Sequence, residues 1–217
     1  MKLMLIMLLL ITSLMTVVGA FLMTSVSSFY TDTFYTQMQD VFGTGNEDFV
    51  SSLRTEAAQS DGAERLQQML ETKSGSLGID YRSRNYYILD AATGRCLATS
   101  DTNGGEQLVN TANLLAARNG EIGQRRDITA SYMDLAIPIS GGANDYIIYI
   151  LDTRENANSL NSQLFMIILQ ALLIGLLISV LLSFLLSKTM TLPIERLTNS
   201  AERIAAGDFG SQIGVES

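Results

Sequence analysis

The chain has 217 residues, of which 47% are hydrophobic, and it carries a formal net charge of −8 with no histidine, no tryptophan and one cysteine. The acidic balance argues against a nucleic-acid partner, because phosphates would be repelled, and a single cysteine excludes an intrachain disulfide. Histidine, the commonest general base, is missing, and no glycine-rich phosphate loop opens a helix, so we expect no catalytic residue in this chain.

The first element is an uncharged apolar run from Leu3 to Met23, which follows Lys2. About 20 helical residues cross a bilayer core, whereas the apolar core of a cleaved signal peptide has only about 7 to 15. No A-x-A cleavage site follows, so residues 1–24 are predicted to be a cytoplasmic N-terminus and an uncleaved transmembrane helix. Small residues recur there every fourth position, at Thr12, Thr16, Ala20 and Thr24, and would face a second span.

Helical periodicity continues beyond this span. Apolar residues recur at helical spacing from Ser27 to about Arg54, with an interruption at Gly43 to Asn46 and a restart that Asn46 would cap. The apolar stripe suits either a cover for a domain core or a dimer seam near the membrane. A further short helix is predicted from Ala63 to Thr72.

From Tyr81 the apolar pattern takes the period of two that is typical of strands. A strand is predicted over Tyr86 to Leu89. It leads into a turn over Asp90 to Gly94 and a returning strand over Arg95 to Thr99. The sequence therefore predicts a hairpin at this point of the chain.

A helix and three strands follow the hairpin. The helix is predicted over Leu108 to Arg118, with Leu108, Ala112 and Leu115 on its apolar face. The strands are predicted at Asp127 to Ala130, Tyr132 to Ile139 and Tyr146 to Leu151. In the second strand, Met133, Leu135, Ile137 and Ile139 alternate on one face, and a glycine-rich hairpin joins it to the third.

Leu164 to Leu186 is a second uncharged run, long enough to cross a bilayer core, and residues 164–187 are predicted to be the second transmembrane helix. Small residues recur every fourth position at Ala171, Gly175, Ser179 and Ser183. They form either a helix-packing ridge or the ordinary composition of a span. Basic residues near the span ends, Lys2, Lys188, Arg196 and Arg203, predict that both termini are cytoplasmic and the middle is outside.

The tail carries a heptad seam. Ile194, Leu197, Ala201 and Ile204 follow one another at spacings typical of coiled-coil positions. Pro193 suits a first helical turn, and Gly207 suits a helix end. An isolated helix of this length is marginal in water, so partner helices are expected, from a second copy or from residues beyond Ser217.

Two resemblances follow from these residues. Pro193-Ile194, Leu197, Ala201, Ile204 and Ala206-Gly207-Asp208-Phe209 resemble the first helix of a HAMP linker, which joins the second transmembrane helix to the cytoplasmic output of many bacterial receptors. A HAMP unit has a second helix, and the sequence ends before one appears. The resemblance therefore implies a truncated HAMP at 188–217 and a fragment of a longer protein.

Residues 25–163 are similar to the single extracytoplasmic PAS-like sensor domain, also called Cache or PDC, of bacterial receptors. The residues that carry this resemblance are Tyr87 to Asp90, Thr93-Gly94, Leu97 to Asp101 and Tyr146 to Asp152. The resemblance implies an α+β fold in which a five-stranded antiparallel sheet lies on a long N-terminal helix.

Arginines and tyrosines of this domain are the predicted ligand contacts, because guanidinium groups bind carboxylates and aromatic rings line pockets. The candidates are Arg82, Tyr87, Arg126, Tyr132 and Asp134, with Arg84, Arg125 and Tyr86 nearby in sequence. Charged residues at strand ends are more often solvated surface, and an acidic surface would instead suit divalent cations. Cys96 is predicted to be a small buried strand residue, and an intermolecular disulfide or a redox sensor is the alternative.

Together the resemblances imply the sensing and transducing part of a bacterial plasma-membrane receptor. A two-component sensor histidine kinase is the leading expectation for that receptor. A chemotaxis receptor or a nucleotide (diguanylate) cyclase is the alternative output, and a membrane-anchored binding or adhesion protein is the alternative of another class. The expected partners are a second copy, the membrane and an unidentified extracellular ligand. No cofactor or metal is expected in this chain, whereas the implied kinase domain would use ATP and Mg and act on a response regulator.

Overall fold

The computed structural model describes residues 2–102, 108–127, 130–142, 144–186, 188–189 and 192–205. They contain seven α-helices and four strands: α1 Lys2–Phe42, α2 Glu47–Ala57, α3 Gly62–Thr72, α4 Ser74–Leu77, β1 Arg84–Asp90, β2 Cys96–Thr99, α5 Ala112–Arg118, β3 Met133–Ser140, β4 Asp145–Asp152, α6 Glu155–Leu186 and α7 Leu192–Ala205. The predicted α+β class is confirmed. The chain divides into a sheet unit, Leu22–Ser162, and a helical unit, Met1–Phe21 with Gln163–Ser217.

The described sheet has four antiparallel strands in the order β2-β1-β4-β3, not the five that were predicted. Residues 128 and 129 of the expected strand at 127–130 lie outside the described residues. Beside β3, Gly123 exchanges two backbone hydrogen bonds of 2.9 Å with Ala136, which forms an isolated bridge. The bridge does not extend through Arg125, because the side chain of Asn113 binds both the N–H and the C=O of that residue.

One face of the sheet is covered by the second half of α1 and by α2 and α3. Because side chains alternate along a strand, this face receives four apolar residues of β3, as predicted. All four belong to the buried core: Met133, Leu135, Ile137 and Ile139. Phe34 of α1, Leu53 of α2 and Leu66 of α3 are fully buried against the same core. The second half of α1 is therefore a cover for the core of the sheet unit.

The other face is covered by α5. Leu114 and Ala117 of this helix pack with apolar side chains of the sheet, Tyr87, Leu89, Ala136, Ile147 and Tyr149. Two predictions about this helix were wrong. It begins at Ala112 rather than Leu108, because the side chain of Thr111 caps it by accepting a hydrogen bond from the Leu114 N–H at 3.1 Å. Leu115 is 48% exposed, because Asn113, Leu114 and Ala117 form the inward face of the helix.

The predicted interruption after the first helix is confirmed. A turn of 3₁₀ helix at Thr44–Asn46 separates α1 from α2. Asn46 occupies the N-cap position but makes no capping hydrogen bond with its side chain. Its amide instead donates to the Asp40 C=O at 3.3 Å. The predicted N-cap position is therefore confirmed, whereas the predicted capping hydrogen bond is wrong.

In the helical unit, α1 and α6 run antiparallel. A Cβ atom at Gly19 would lie 3.5 Å from Ile168, and one at Gly175 would lie 3.6 Å from Ile11. Bulky isoleucine side chains thus lie against glycine on the opposite helix. The predicted face of Thr12, Thr16, Ala20 and Thr24 is exposed instead, because the contact runs through Ile11 and Gly19.

Two of the described helices are long and apolar enough to cross a membrane, over Leu8–Phe42 and Glu155–Leu185. Most of their apolar side chains are exposed, for example Leu9, Phe21, Leu177 and Phe184. The length and composition of these two helices therefore permit them to cross a membrane.

Candidate ligand site

A buried polar cluster lies between the sheet and α5. It consists of Thr111, Asn113, Asp134 and Tyr149, each no more than 5% exposed. The Asn113 amide donates to one carboxylate oxygen of Asp134 at 2.6 Å, and the Tyr149 hydroxyl donates to the other at 3.1 Å. Both oxygens are therefore engaged, which is what a buried carboxylate requires.

Asn113 holds the chain on both sides of the cluster. Its amide nitrogen also donates to the C=O groups of Arg125 and Asp134 at 3.1 Å, while its oxygen accepts from the Arg125 N–H at 2.7 Å. One side chain thus connects α5, β3 and the segment before β3, residues 122–132, of which 128 and 129 lie outside the described residues. A displacement of that segment would break hydrogen bonds inside the cluster.

Two tyrosines lie side by side on the same sheet face. The rings of Tyr87 and Tyr149 are neighbours at paired positions of β1 and β4, with centroids 6.1 Å apart and planes tilted by 42°. The Tyr87 hydroxyl donates to Asp101 at 2.8 Å. Burial is the main cause that raises the pKa of Tyr149 and Tyr87, and the carboxylates of Asp134 and Asp101 raise each pKa further.

An open cleft of about 990 Å³ lies between α1, the segment before β3 and β3 itself. It is large enough for a small ligand. Its apolar and polar lining residues are Tyr35, Met38, Gln39, Asp40, Phe42, Gly43, Gly45, Ile122, Gln124, Arg126, Leu135 and Ile137. The Arg126 guanidinium lies over the Tyr35 ring, 4.8 Å from its centroid, and 3.5 Å from the Asp32 carboxylate.

The cleft and the polar cluster meet at Tyr35. Its hydroxyl donates to the C=O of Arg125 at 3.0 Å, while its ring lines the cleft. A ligand in the cleft would therefore contact the same segment that Asn113 holds from the other side. The segment before β3 thus lines the cleft with Gln124 and Arg126 and contacts the cluster through Arg125.

The five predicted ligand residues do not form one site. Tyr87 and Asp134 lie on the same sheet face, and Tyr132 is half-buried next to β3. Arg126 lines the cleft instead. Arg82 is exposed and forms an ion pair with Glu155 at 2.9 Å.

The other residues that the sequence suggested lie apart from the cleft. Arg84 is buried in an ion pair with Asp152, which gives it a structural partner. Tyr86 lies on the opposite sheet face from Tyr87 and donates to Glu71 at 3.2 Å. Cys96 is half-buried on β2, and burial is the main cause that raises the pKa of its thiol. A raised thiol pKa disfavours the reactive thiolate.

Asn113 and Tyr149 were missed by sequence reasoning. Asn113 lies on the inward face of α5, where an apolar residue is usual, and that mismatch was the available signal. Tyr149 is one of two tyrosines in an apolar strand, and no local pattern distinguishes it from Tyr146. Within the described residues, no group of three or more Cys, Asp or Glu side chains is placed to hold a metal ion.

The seam residues lie on α7. Pro193 is its second residue, Ile194 and Leu197 are 61% and 57% exposed, and Ala201 is also exposed. Ile204 lies in the same helix. The proposed stop at 207–209 falls outside the described residues. An amphipathic helix with an exposed apolar stripe is typical of a helix that needs a partner.

The small-residue positions of the second span are only partly on the contact face of α6. Gly175 lies against Ile11, and Ser179 and Ser183 are buried, whereas Ala171 is exposed. The Ser179 hydroxyl finds no hydrogen-bond partner among the described residues. Gly175, Ser179 and Ser183 thus lie on the less exposed face of α6, and Ala171 does not.

The raised tyrosine pKa values predict a loss of stability at alkaline pH. Burial raises the pKa of Tyr86 from 10.0 to about 12, with a further contribution from Glu71. Between these values the unfolded chain loses the proton and the folded chain keeps it, so stability is full below pH 10 and falls as the pH rises toward 12. Within this pH range, each such tyrosine lowers the free energy of unfolding by up to about 1.4 kcal/mol per pH unit. Ultraviolet titration of native and unfolded chain measures this directly, and tyrosines that all ionise near pH 10 would contradict it.

No protein-family model, no curated protein and no solved structure matches the chain significantly.

Proposed function

We propose that the chain is the sensing and transducing part of a two-pass bacterial membrane receptor. The main support for this proposal is that α1 and α6 are each divided between the two units. Each has one portion in the helical unit and one in the sheet unit, so the folded unit is inserted in the chain between two helices of membrane-spanning length. In this proposal the sheet unit is extracytoplasmic and both termini are cytoplasmic, as the basic residues beside the spans suggest.

The sheet unit is proposed to be a PAS-like sensor domain of the Cache, or PDC, type. Support comes from the four-stranded antiparallel sheet that packs on the second half of the long helix α1. The cleft beside Arg126 and the cluster around Asp134 are the proposed places where an extracellular ligand acts. Both involve the segment before β3, so one movement would affect both.

The tail is proposed to be the first helix of a HAMP linker. It follows α6 after a few residues, and its exposed Ile194 and Leu197 would pack against a second copy. A signal would alter this packing by favouring one of two arrangements. We propose a two-component histidine kinase as the output, with ATP, Mg and a response regulator acting beyond this chain; a chemotaxis receptor or a diguanylate cyclase is the alternative.

A membrane-anchored binding or adhesion protein is the second candidate function. It needs an outer domain and an anchor but no ordered seam inside the cell. The exposed apolar stripe on α7 favours the receptor, because an inert tail gains nothing from it.

Cysteine crosslinking separates the two functions. In a Cys96→Ser background, single cysteines at Ile194, Leu197 and Ala201 are expected to form disulfides between copies in the membrane. Cysteines at Thr198 and Asn199, which lie off the seam, serve as matched controls. Crosslinking that is equal at all five positions would favour the adhesion protein.

A further inference from the structure

The junction between β4 and α6 consists of two residues, Thr153 and Arg154. Arg154 has a φ of 56°, in the left-handed region that residues other than glycine rarely adopt. Its side chain is nevertheless buried, and its backbone N–H donates to the Asp152 carboxylate at 2.7 Å. Unusual backbone of this kind persists only where surrounding contacts hold it.

The Arg154 guanidinium supplies such contacts. It donates to the Thr31 hydroxyl of α1 at 2.7 Å and to the C=O of Ala130 at 3.0 Å. Thr31 in turn donates to the Ser27 C=O at 2.9 Å, so its oxygen is oriented to accept from the arginine. A single side chain at the beginning of α6 thus contacts α1 and the segment that leads into β3.

The opposite side of the junction is held by the turn before β1. Asn156, in the first turn of α6, donates to the side chains of Asp80 and Ser83 at 2.9 and 2.8 Å. The Thr153 N–H donates to the Ser83 C=O at 2.8 Å. The beginning of α6 is therefore fixed to a rigid turn on one side and to a helix and a loop on the other.

We propose that Arg154 is the positioning residue that couples the segment before β3 to α6. Movement of Ala130 would withdraw one acceptor, weaken the Thr31 contact and let the backbone of Arg154 leave the left-handed region. The direction of the first turn of α6 would then change relative to the second half of α1. This inference rests on the proposed receptor function, in which Arg154 would transmit a movement of the sensor domain to α6.

The test uses the full chain in lipid nanodiscs and three variants. Thr31→Val removes the hydroxyl that accepts from Arg154, and Arg154→Gly removes the guanidinium while still permitting the left-handed backbone. Thr31→Ser keeps the hydroxyl and should restore native behaviour. Thr36→Val makes the same change at an exposed position of the same helix and serves as the control.

Hydrogen exchange is the first measurement. The Asn158 N–H donates to the Arg154 C=O at 2.8 Å, so its exchange reports on the first turn of α6. Thr31→Val and Arg154→Gly are expected to speed exchange there about tenfold, with Thr31→Ser and Thr36→Val at native rates. Native exchange in both Thr31→Val and Arg154→Gly would overturn the proposal.

The seam crosslinks are the second measurement, because a purely structural contact would not change them. Thr31→Val should alter the ratio of disulfides at Ile194 and Leu197, whereas Thr36→Val should not. If the seam crosslinks with native periodicity but Thr31→Val leaves the ratio unchanged, the role of Arg154 is refuted and the receptor function stands. If no variant shows seam periodicity, the receptor function fails as well.

Discussion

Replacing Arg84 with methionine is expected to lower the free energy of unfolding of the sheet unit by about 3–5 kcal/mol. The Arg84 Nε donates to Asp152 at 2.8 Å, and the pair is about 10% exposed. Nη1 also donates to Gln37 and to the Leu77 C=O, and the guanidinium lies 4.9 Å from the Phe34 ring centroid. Methionine fills similar volume but leaves the Asp152 carboxylate buried without its cation.

Arg82→Met is the matched control, two residues away. The Arg82 side chain is 76% exposed and pairs with Glu155 at the surface, so its loss should cost less than about 1 kcal/mol. All eight tyrosines lie between residues 22 and 162 and the chain has no tryptophan, so tyrosine fluorescence during denaturation reports on the sheet unit alone. Equal losses in the two variants would show that the buried pair contributes no more than the surface pair.

Replacing Phe34 with alanine is expected to cost about 3–5 kcal/mol in the same assay. Phe34 is fully buried in the core that α1 shares with the sheet, and its ring meets the Tyr35 ring edge to face at 5.0 Å. Removing its ring would leave a cavity in this core. The loss would also loosen the attachment of α1 to the sheet.

Phe29→Ala tests the specificity of that result. Phe29 lies on the same helix but is 66% exposed, so the same change there should have little effect on a single copy. A loss comparable with that of Phe34→Ala would mean that Phe29 is buried in the membrane-bound protein, against lipid or a second copy. A small loss for Phe34→Ala would contradict its place in the core.

The elements that the sequence predicted well are those in which one pattern dominates. The alternation from Met133 to Ile139 and the helical spacing of Leu66 and Leu70 both report directly which side chains are buried. The uncharged runs likewise identify α1 and α6. Hydrophobicity is a property of each residue, so its periodicity in the sequence indicates which face of an element is buried.

The sites depended on contacts between distant residues, which periodicity does not encode. Arg82 and Arg84 looked equivalent as ligand residues, yet one is a surface ion pair and the other is buried against Asp152. The fifth strand was predicted from a local pattern, whereas the described backbone at Arg125 binds the side chain of Asn113. Arg154 gave no local signal, because its role comes from the fold that brings Thr31 beside it.

In the proposed receptor, the sheet unit and α7 lie on opposite sides of one membrane. The direct measurement is labelling with a membrane-impermeant maleimide, using Asn119→Cys in the sheet unit and Asn199→Cys in α7, both exposed positions, in a Cys96→Ser chain. In right-side-out spheroplasts we expect label at residue 119 only, and in inverted vesicles at residue 199 only. Labelling of both residues from the same side would contradict the two-pass receptor.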